Sequence, residues 1–303
     1  MKNNFKLFTR IVYFSQSKKQ ALDKPRYINV GGRLLDLSVP KVMGIINVTP
    51  DSFYAQSRFN SDSEIIAAAQ QMINDGVDII DIGGSSSRPC AAETPAGEEE
   101  KRVLSAVKLI RKELPDTIIS VDTFRASIAE KAVVEYGAHI VNDISGGNAD
   151  AKMFEVIAKI KVPYILMHMK GCPQTMQNNP AYDDVVADIL KYFSKRIFKL
   201  RSAGVNDIII DPGFGFGKTI NHNFELLRKL EDFAITGLPL LVGLSRKSFI
   251  WKTLNTTAKE ALAGTVSLNT VALIKGADII RVHDVKEAVQ TVKLVCETKK
   301  TKL

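Results

Sequence analysis

The sequence predicts a single (β/α)8 barrel preceded by a short β-hairpin. Three observations support this fold class: eight short runs rich in β-branched residues recur between residues 42 and 283, each run is followed by a stretch with helical periodicity, and the runs are apolar on both faces. Strands that are apolar on both faces are typical of a parallel sheet covered by helices. A doubly wound open sheet is the structural alternative, but eight units in this length suit a closed barrel better.

The predicted strands follow one another in a regular order. Residues 27–38 form a hairpin that turns at Gly31 and Gly32. The eight barrel runs are residues 42–47, 77–83, 117–122, 139–143, 162–168, 207–211, 239–245 and 277–283.

The predicted helices alternate with these runs. In residues 61–75 the apolar side chains fall on one helical face, and Ser61 and Glu64 form a capping box at its start. The other helical stretches are residues 98–113, 125–136, 151–160, 183–203, 222–232, 258–275 and 285–298.

No shift in composition marks a linker, so residues 27–303 are predicted to form one domain. Residues 1–26 are predicted to be a loosely ordered extension, because Lys6 and Arg10 interrupt its apolar residues and no small-residue cleavage site follows. An organellar presequence is the less favoured alternative.

The net charge of +8 lies at the two ends of the chain. Residues 1–33 carry a balance of +7 and residues 293–303 a balance of +3, so the rest of the chain carries −2. Lysine-rich ends are usually solvated, which argues against a nucleic-acid partner. No apolar stretch is long enough to cross a membrane. The three cysteines lack metal-type spacing and predict free thiols in a reducing compartment, the cytoplasm.

Polar side chains follow the predicted strands at the end where (β/α)8 barrels carry their active sites. They are Asn47, Asp81, Asp122, Asn142, Asp143, His168, Asp211, Ser245, Arg246, Lys247, Arg281 and His283. Any one of them could simply cap a strand, but the set as a whole predicts a functional site.

The residue types in this set predict the kind of ligand. Asp122, Asn142 and Asp211 offer two carboxylates and an amide, which suit a planar heterocycle such as an amino-pyrimidinone. A divalent metal is the alternative for the two carboxylates. Lys247, Arg281 and His283 follow the last two strands, where such barrels commonly bind phosphate, and they predict an anionic ligand.

Three loops complete the predicted site. Residues 48–60 and 84–97 are long enough to be lids over the barrel mouth, although solvated connections fit their composition equally well. The glycine-rich loop 211–218 resembles a nucleotide-binding loop, but Pro212 occupies the position of the first required glycine and Lys218 that of the last dinucleotide-binding glycine.

From about residue 33 onward the sequence resembles the dihydropteroate synthase family of pterin-binding barrels. The resemblance rests on eight stretches in the family's order: "MGIINVTPDSF", "DIGGSSSRP", "SVDTFR", "VNDISGG", "LMHMKG", "DPGFGFGK", "GLSRKSFI" and "IIRVHDVKE". It implies a transferase of folate biosynthesis that joins 6-hydroxymethyl-7,8-dihydropterin pyrophosphate to p-aminobenzoate, releasing pyrophosphate. It also implies Mg²⁺, a homodimer and inhibition by sulfonamides.

The same resemblance implies roles for individual residues. Asp122, Asn142, Met167, Asp211 and Lys247 would hold the pterin. Asn47, Arg281 and His283 would hold the pyrophosphate, with Asn47 also ligating Mg²⁺. The p-aminobenzoate pocket and its lid would consist of Phe53, Ser87, Arg88, Pro89, Phe216 and Ser248. Asp122, Asp211, Lys247, Arg281 and His283 would act in catalysis, and no general base is assigned.

The glycine-rich loop then has a different purpose from nucleotide binding. Pro212 biases Asp211 toward extended backbone, and Gly213, Gly215 and Gly217 permit the turns that present Phe216 to an aromatic amine. The second loop departs from the family's pattern, with Ser87 in place of threonine and Cys90 in place of glycine. A pterin-binding methyltransferase and a catalytically silent pterin-binding barrel are the alternatives. The segments "SRKS" and "RVHD" argue against the methyltransferase, and Asn47, Lys247, Arg281 and His283 argue against the silent barrel.

Overall fold

The computed structural model describes residues 27–48, 61–85, 94–173 and 175–300. The predicted N-terminal extension, Phe53, Ser87, Arg88 and Pro89 lie outside the described residues. In chain order the elements are β1 (Tyr27–Val30), β2 (Arg33–Asp36), β3 (Lys41–Asn47), α1 (Asp62–Asp75), β4 (Ile79–Gly83), α2 (Ala96–Glu113), β5 (Ile118–Asp122), α3 (Ala126–Val134), β6 (Ile140–Asp143), α4 (Met153–Ile160), β7 (Tyr164–Met167), α5 (Val185–Ser202), β8 (Ile208–Asp211), α6 (Ile220–Arg228), a 3₁₀ helix (Leu230–Thr236), β9 (Leu241–Val242), α7 (Ser248–Thr253), α8 (Leu262–Ile274), β10 (Ile279–Val282) and α9 (Val285–Lys299).

Strands β3 to β10 form one parallel sheet in the order β8-β7-β6-β5-β4-β3-β10-β9. A parallel bridge between Ile210 and Leu240 joins its two edges, so the sheet closes on itself. The predicted (β/α)8 barrel is therefore confirmed. Its alternating helices cover the outer face, which explains why the strands are apolar on both sides.

Side chains alternate between the outside and the inside of the barrel along each strand. Outward residues such as Ile80, Ile82, Ile119 and Val121 pack under the helices. The first inward residue of most strands joins an apolar cluster, the apolar floor, whose barrel members are Met43, Ile79, Ile140, Ile165, Ile209, Leu241 and Ile279. Residues two and four positions further along also point inward, and these are largely the polar residues of the predicted site.

The N-terminal hairpin closes the barrel beneath the apolar floor. β1 and β2 pair antiparallel, with Val30 opposite Arg33 across the Gly31-Gly32 turn, as predicted. Ile28, Val30 and Leu37 are almost fully buried against the floor residues. Their burial removes apolar surface from both the hairpin and the strand ends, so the hairpin is part of the core.

The region around the seventh barrel strand differs from the prediction. Regular pairing covers only Leu241–Val242 instead of residues 239–245, and an additional short helix, α7, follows. Helix α8 begins at Leu262 rather than at residue 258, because the carbonyls of Ala258 and Lys259 accept hydrogen bonds from Arg246 at 2.8 and 2.6 Å. Arg246 itself has φ 54°, which turns the chain sharply after the strand.

Candidate active site

The polar strand ends meet in one cavity at the carboxyl end of the barrel. Gly83 lies between Asn47 and Asp122 in the register of three adjacent strands. A Cβ added at Gly83 would lie 3.4 Å from Asn47 Oδ1 and 3.6 Å from Asp122 Oδ2, so this glycine leaves room for both side chains to face the same space. Asn142 follows next, paired in register with Asp122.

Arg281 lies at the centre of a buried ionic network. Its Nε donates to Asp81 Oδ2 at 2.6 Å, and its Nη2 donates to Asp122 Oδ2 at 2.7 Å. The same Asp81 oxygen accepts from Asn142 Nδ2 at 2.9 Å. The sequence analysis assigned Arg281 to the pyrophosphate and gave Asp81 no role. The structure places Arg281 directly against the carboxylate assigned to the pterin.

Burial and neighbouring charges both shift the pKa values of Asp122 and Arg281. Burial raises the pKa of Asp122 to about 7, although the neighbouring Arg281 opposes the shift. Burial alone would lower the pKa of Arg281, but Asp81 and Asp122 outweigh it and raise the pKa. Arg281 therefore stays charged, whereas Asp122 changes protonation near neutral pH.

Asp211 and Lys247 form the opposite side of the cavity. Asp211 Oδ1 accepts from the Gly213 amide at 2.7 Å, and burial raises the pKa of this carboxyl against the effect of Lys247. Burial lowers the pKa of Lys247 to about 8, opposed by Asp211. A Cβ added at Gly243 would lie 3.8 Å from Lys247 Nζ and 3.9 Å from Arg281 Cβ, so this glycine leaves room for both side chains.

The glycine-rich loop is held by hydrogen bonds to every carbonyl from residue 213 to residue 217. The donors are Lys218 Nζ to Gly213 and to Phe216, Lys247 Nζ to Phe214, Gln177 Nε2 to Gly215, and Tyr182 Oη to Gly217. The ring of Phe216 is half-buried, with Lys247 Nζ 4.7 Å from its centroid. The loop therefore presents an aromatic surface beside a cation.

Lys218 is a site residue that the sequence analysis missed. It is 3% exposed, and its Nζ lies 2.8 Å from Gly213 O, 3.0 Å from Phe216 O and 3.1 Å from His168 Nδ1. Burial lowers its pKa well below the usual range for lysine, and burial lowers the pKa of His168 to about 2. The sequence analysis rejected a nucleotide-binding loop and gave Lys218 no other role, whereas in the structure the side chain supports the loop.

His283 lies among the cations but is itself neutral. Burial lowers its pKa to about 3, with Arg281, Arg246 and Lys247 adding to the shift. Ser245 Oγ accepts from the His283 backbone amide at 3.2 Å and lies 3.0 Å from its Nδ1. A neutral imidazole keeps one ring N–H, and whether it lies on Nδ1 or Nε2 depends on whether Ser245 Oγ accepts from Nδ1 or donates to it.

The remaining predicted residues lie around the same cavity. Met167 is buried and points inward beside Gly213, whose added Cβ would lie 3.4 Å from Met167 Cγ. Ser248 is half-buried at the first position of α7. Asn47, the predicted Mg²⁺ ligand, is half-buried at the last position of β3. Among the described residues, no group of three or more His, Cys, Asp or Glu side chains could hold a metal ion.

Comparison with known proteins agrees with this geometry. The family described as pterin binding enzyme matches residues 43–283. The chain belongs to this family. Dihydropteroate synthase of Escherichia coli (strain K12) is 45% identical over 266 residues, covering 87% of this chain and 93% of the relative. The family resemblance found in the sequence is thus confirmed.

Solved structures of pterin-binding enzymes show the same fold. Dihydropteroate synthase of Yersinia pestis in complex with a sulfonamide drug superimposes with a TM-score of 0.88 at 41% identity, covering 91% of this chain and 100% of that one. Dihydropteroate synthase of Xanthomonas albilineans with 4-aminobenzoic acid gives 0.84 at 34% identity, covering 92% and 100%. In the described part of this chain, no helix is both long and apolar enough to cross a membrane.

Proposed function

We propose that this protein is a dihydropteroate synthase, a transferase that joins 6-hydroxymethyl-7,8-dihydropterin pyrophosphate to p-aminobenzoate. The observation that carries the proposal is the single cavity in which two carboxylates and an amide lie beside Arg281 and Lys247. A flat ring with adjacent N–H groups pairs with Asp122, Asn142 and Asp211, and its anionic tail lies near the cations.

The chemistry follows from the charges of the site. The bond from the pterin methylene to the diphosphate oxygen breaks, and its electron pair leaves with the diphosphate. Arg281 and the neutral His283 donate hydrogen bonds to the leaving oxygens, while Asp122 and Asp211 stabilise positive charge that develops on the ring. The nitrogen of p-aminobenzoate then forms the new bond to the methylene carbon and loses one proton to solvent. No side chain has to act as a strong base.

Mg²⁺ is part of the proposal, with Asn47 as its protein ligand. Mg²⁺ usually binds through one or two protein oxygens together with substrate phosphates and water. The half-buried amide of Asn47, beside Asp122 across Gly83, fits a metal that arrives with the diphosphate. When bound, the ion would neutralise charge on the leaving group.

The p-aminobenzoate pocket is proposed beside the glycine-rich loop. Phe216 offers an aromatic face and Lys247 a positive charge for the carboxylate of the substrate. Ser248, at the start of α7, adds a hydroxyl. The predicted lid residues Phe53, Ser87, Arg88 and Pro89 would complete the pocket. Sulfonamides would compete for it, and Ser87 and Cys90 are the positions at which to look for an altered response.

A homodimer in the cytoplasm is also proposed. Leu254, Val271 and Ile274 are exposed apolar residues. Leu254 lies beside Gly264, which shares one helical face of α8 with Val271. An exposed apolar face of this kind favours a second copy of the chain. The free thiol of Cys296 supports a reducing compartment.

The decisive experiment follows pyrophosphate release from the pterin substrate with Mg²⁺. We expect release that depends on p-aminobenzoate and a product in which the arylamine is joined to the pterin. Transfer of a methyl group instead would identify the methyltransferase alternative. Tight pterin binding without any release would identify a silent binding protein, and either result would overturn the proposal.

A further inference from the structure

Asp81 is a buried carboxylate to which the proposed reaction assigns no role. It points inward from the middle of β4, and its side chain is 0% exposed. One oxygen, Oδ2, accepts from both Arg281 Nε and Asn142 Nδ2. The other oxygen, Oδ1, has no hydrogen-bond partner within the described part of the chain. A single atom of Asp81 therefore orients two side chains of the site.

The two carboxylates that bind Arg281 differ in their access to ligands. The side chain of Asp81 is closed off, whereas that of Asp122 is 17% exposed and that of Arg281 is 21% exposed. A ring N–H group entering the cavity can reach Asp122 but not the oxygen of Asp81 that Arg281 holds. We therefore expect a ring N–H group to replace Arg281 Nη2 at Asp122, while the bond between Arg281 Nε and Asp81 remains.

We infer that Asp81 is a positioning residue that serves as the fixed pivot of Arg281. The pterin ring replaces Nη2 of Arg281 at Asp122, the Nε–Asp81 bond holds the guanidinium in the cavity, and the released Nη2 turns to the diphosphate. This inference rests on the proposed function, because it requires the ring to bind at Asp122.

Asp81 also determines how Asn142 meets the ring. Asn142 Nδ2 donates one of its two N–H groups to Asp81, so the amide oxygen and the second N–H remain for a ligand. An ionised carboxylate can only accept, so it excludes the flipped amide. One oxygen atom of Asp81 thus fixes the orientation of the Asn142 amide and of the Arg281 guanidinium.

A measurable consequence is coupling between the two halves of the substrate. If the ring frees Arg281 for the diphosphate, each ligand must tighten the binding of the other by the same factor. We expect about 10-fold, within the range typical of coupled sites. Without the pivot, a freed guanidinium is not directed to the diphosphate, and the coupling is lost.

The experiment is isothermal titration calorimetry with 6-hydroxymethyl-7,8-dihydropterin and magnesium pyrophosphate, each alone and each in the presence of the other. Asp81→Asn keeps the size of the side chain but removes its charge. Ser120→Ala is the matched control, because Ser120 is the register neighbour of Asp81 on β5 and its buried hydroxyl has no partner among the described residues. Far-ultraviolet circular dichroism and thermal unfolding check that each variant is folded.

We expect the coupling factor of about 10 in the native protein and in Ser120→Ala, and a factor below about 2 in Asp81→Asn. Should Asp81→Asn fail to fold, Arg281→Lys replaces it, because an ammonium group cannot contact both carboxylates in the way that Nε and Nη2 do. Coupling that persists in the folded variant would overturn the inference. Independent binding of the two ligands to the native protein would also overturn it and leave the proposed function intact, whereas failure of the pterin to bind at all would overturn both.

Discussion

Replacing Lys218 with methionine tests whether this buried lysine supports the glycine-rich loop. Methionine has a similar length but no N–H donors, so the carbonyls of Gly213 and Phe216 lose the bonds that Lys218 donates at 2.8 and 3.0 Å. The Gly213 carbonyl keeps the bond that it accepts from the Phe216 amide, whereas the Phe216 carbonyl loses its donor, and a buried polar group left without its partner costs about 1–3 kcal/mol. Removing an amine from an environment that disfavours its charge offsets part of this cost. We expect the free energy of unfolding to fall by about 1–2 kcal/mol.

Urea unfolding followed by circular dichroism measures this change, with Lys191→Met as the control. Lys191 is exposed on α5, where such a substitution changes stability by no more than about 0.5 kcal/mol. Steady-state kinetics gives the second measurement. KM for p-aminobenzoate should rise several-fold, because Phe216 loses its support, and KM for the pterin substrate should change less. A Lys218→Met protein as stable as Lys191→Met, or one in which both KM values rise equally, would refute the reasoning.

Two further predictions concern the ring site and the loop. Pterin binding should weaken below about pH 7, where Asp122 gains a proton and loses acceptor capacity, and above about pH 8, where Lys247 loses its charge. Calorimetry across this range should show that Asp122→Asn removes the loss of pterin affinity at acid pH and that Lys247→Met removes the loss at alkaline pH. Losses of affinity that are unchanged in these variants would contradict the assignment. Gly213→Ala should lower the free energy of unfolding by about 3 kcal/mol or more, because φ is 72° and the new Cβ would lie 1.9 Å from the His168 carbonyl oxygen. Gly237→Ala, at φ 65° with open space around it, should cost about 1 kcal/mol, and equal losses in the two variants would show that the close contact does not matter.

The fold and the approximate location of the site could be predicted from the sequence because both depend on local patterns. Apolar runs such as 207–211 mark buried strands, and the polar residue that ends each run lies where strands of a parallel barrel share one edge. The hairpin was predictable for the same reason, since Gly31 and Gly32 separate two short β-rich segments.

The connections inside the site could not be predicted, because they join residues that are distant in the chain. Asp81 lies within an apolar segment, and its partners Asn142 and Arg281 come 61 and 200 residues later in the chain. The inward direction of Arg281 depends on a side-chain conformation that no sequence pattern determines. Lys218 follows a loop of glycines and phenylalanines, and no pattern in the sequence shows that backbone carbonyls of the folded loop enclose it.

The seating of the N-terminal hairpin has a consequence for the order of events at the site. With Ile28 and Val30 packed against the base of the strands, the hairpin covers this end of the barrel among the described residues, and the site lies at the opposite rim. A pterin bound by Asp122 and Asp211 would lie deepest in the cavity, next to the end that the hairpin covers. A ligand that binds later, such as the arylamine, would cover the pterin. We therefore expect the pterin substrate to bind before the arylamine, and the ring to leave joined to the arylamine in the product.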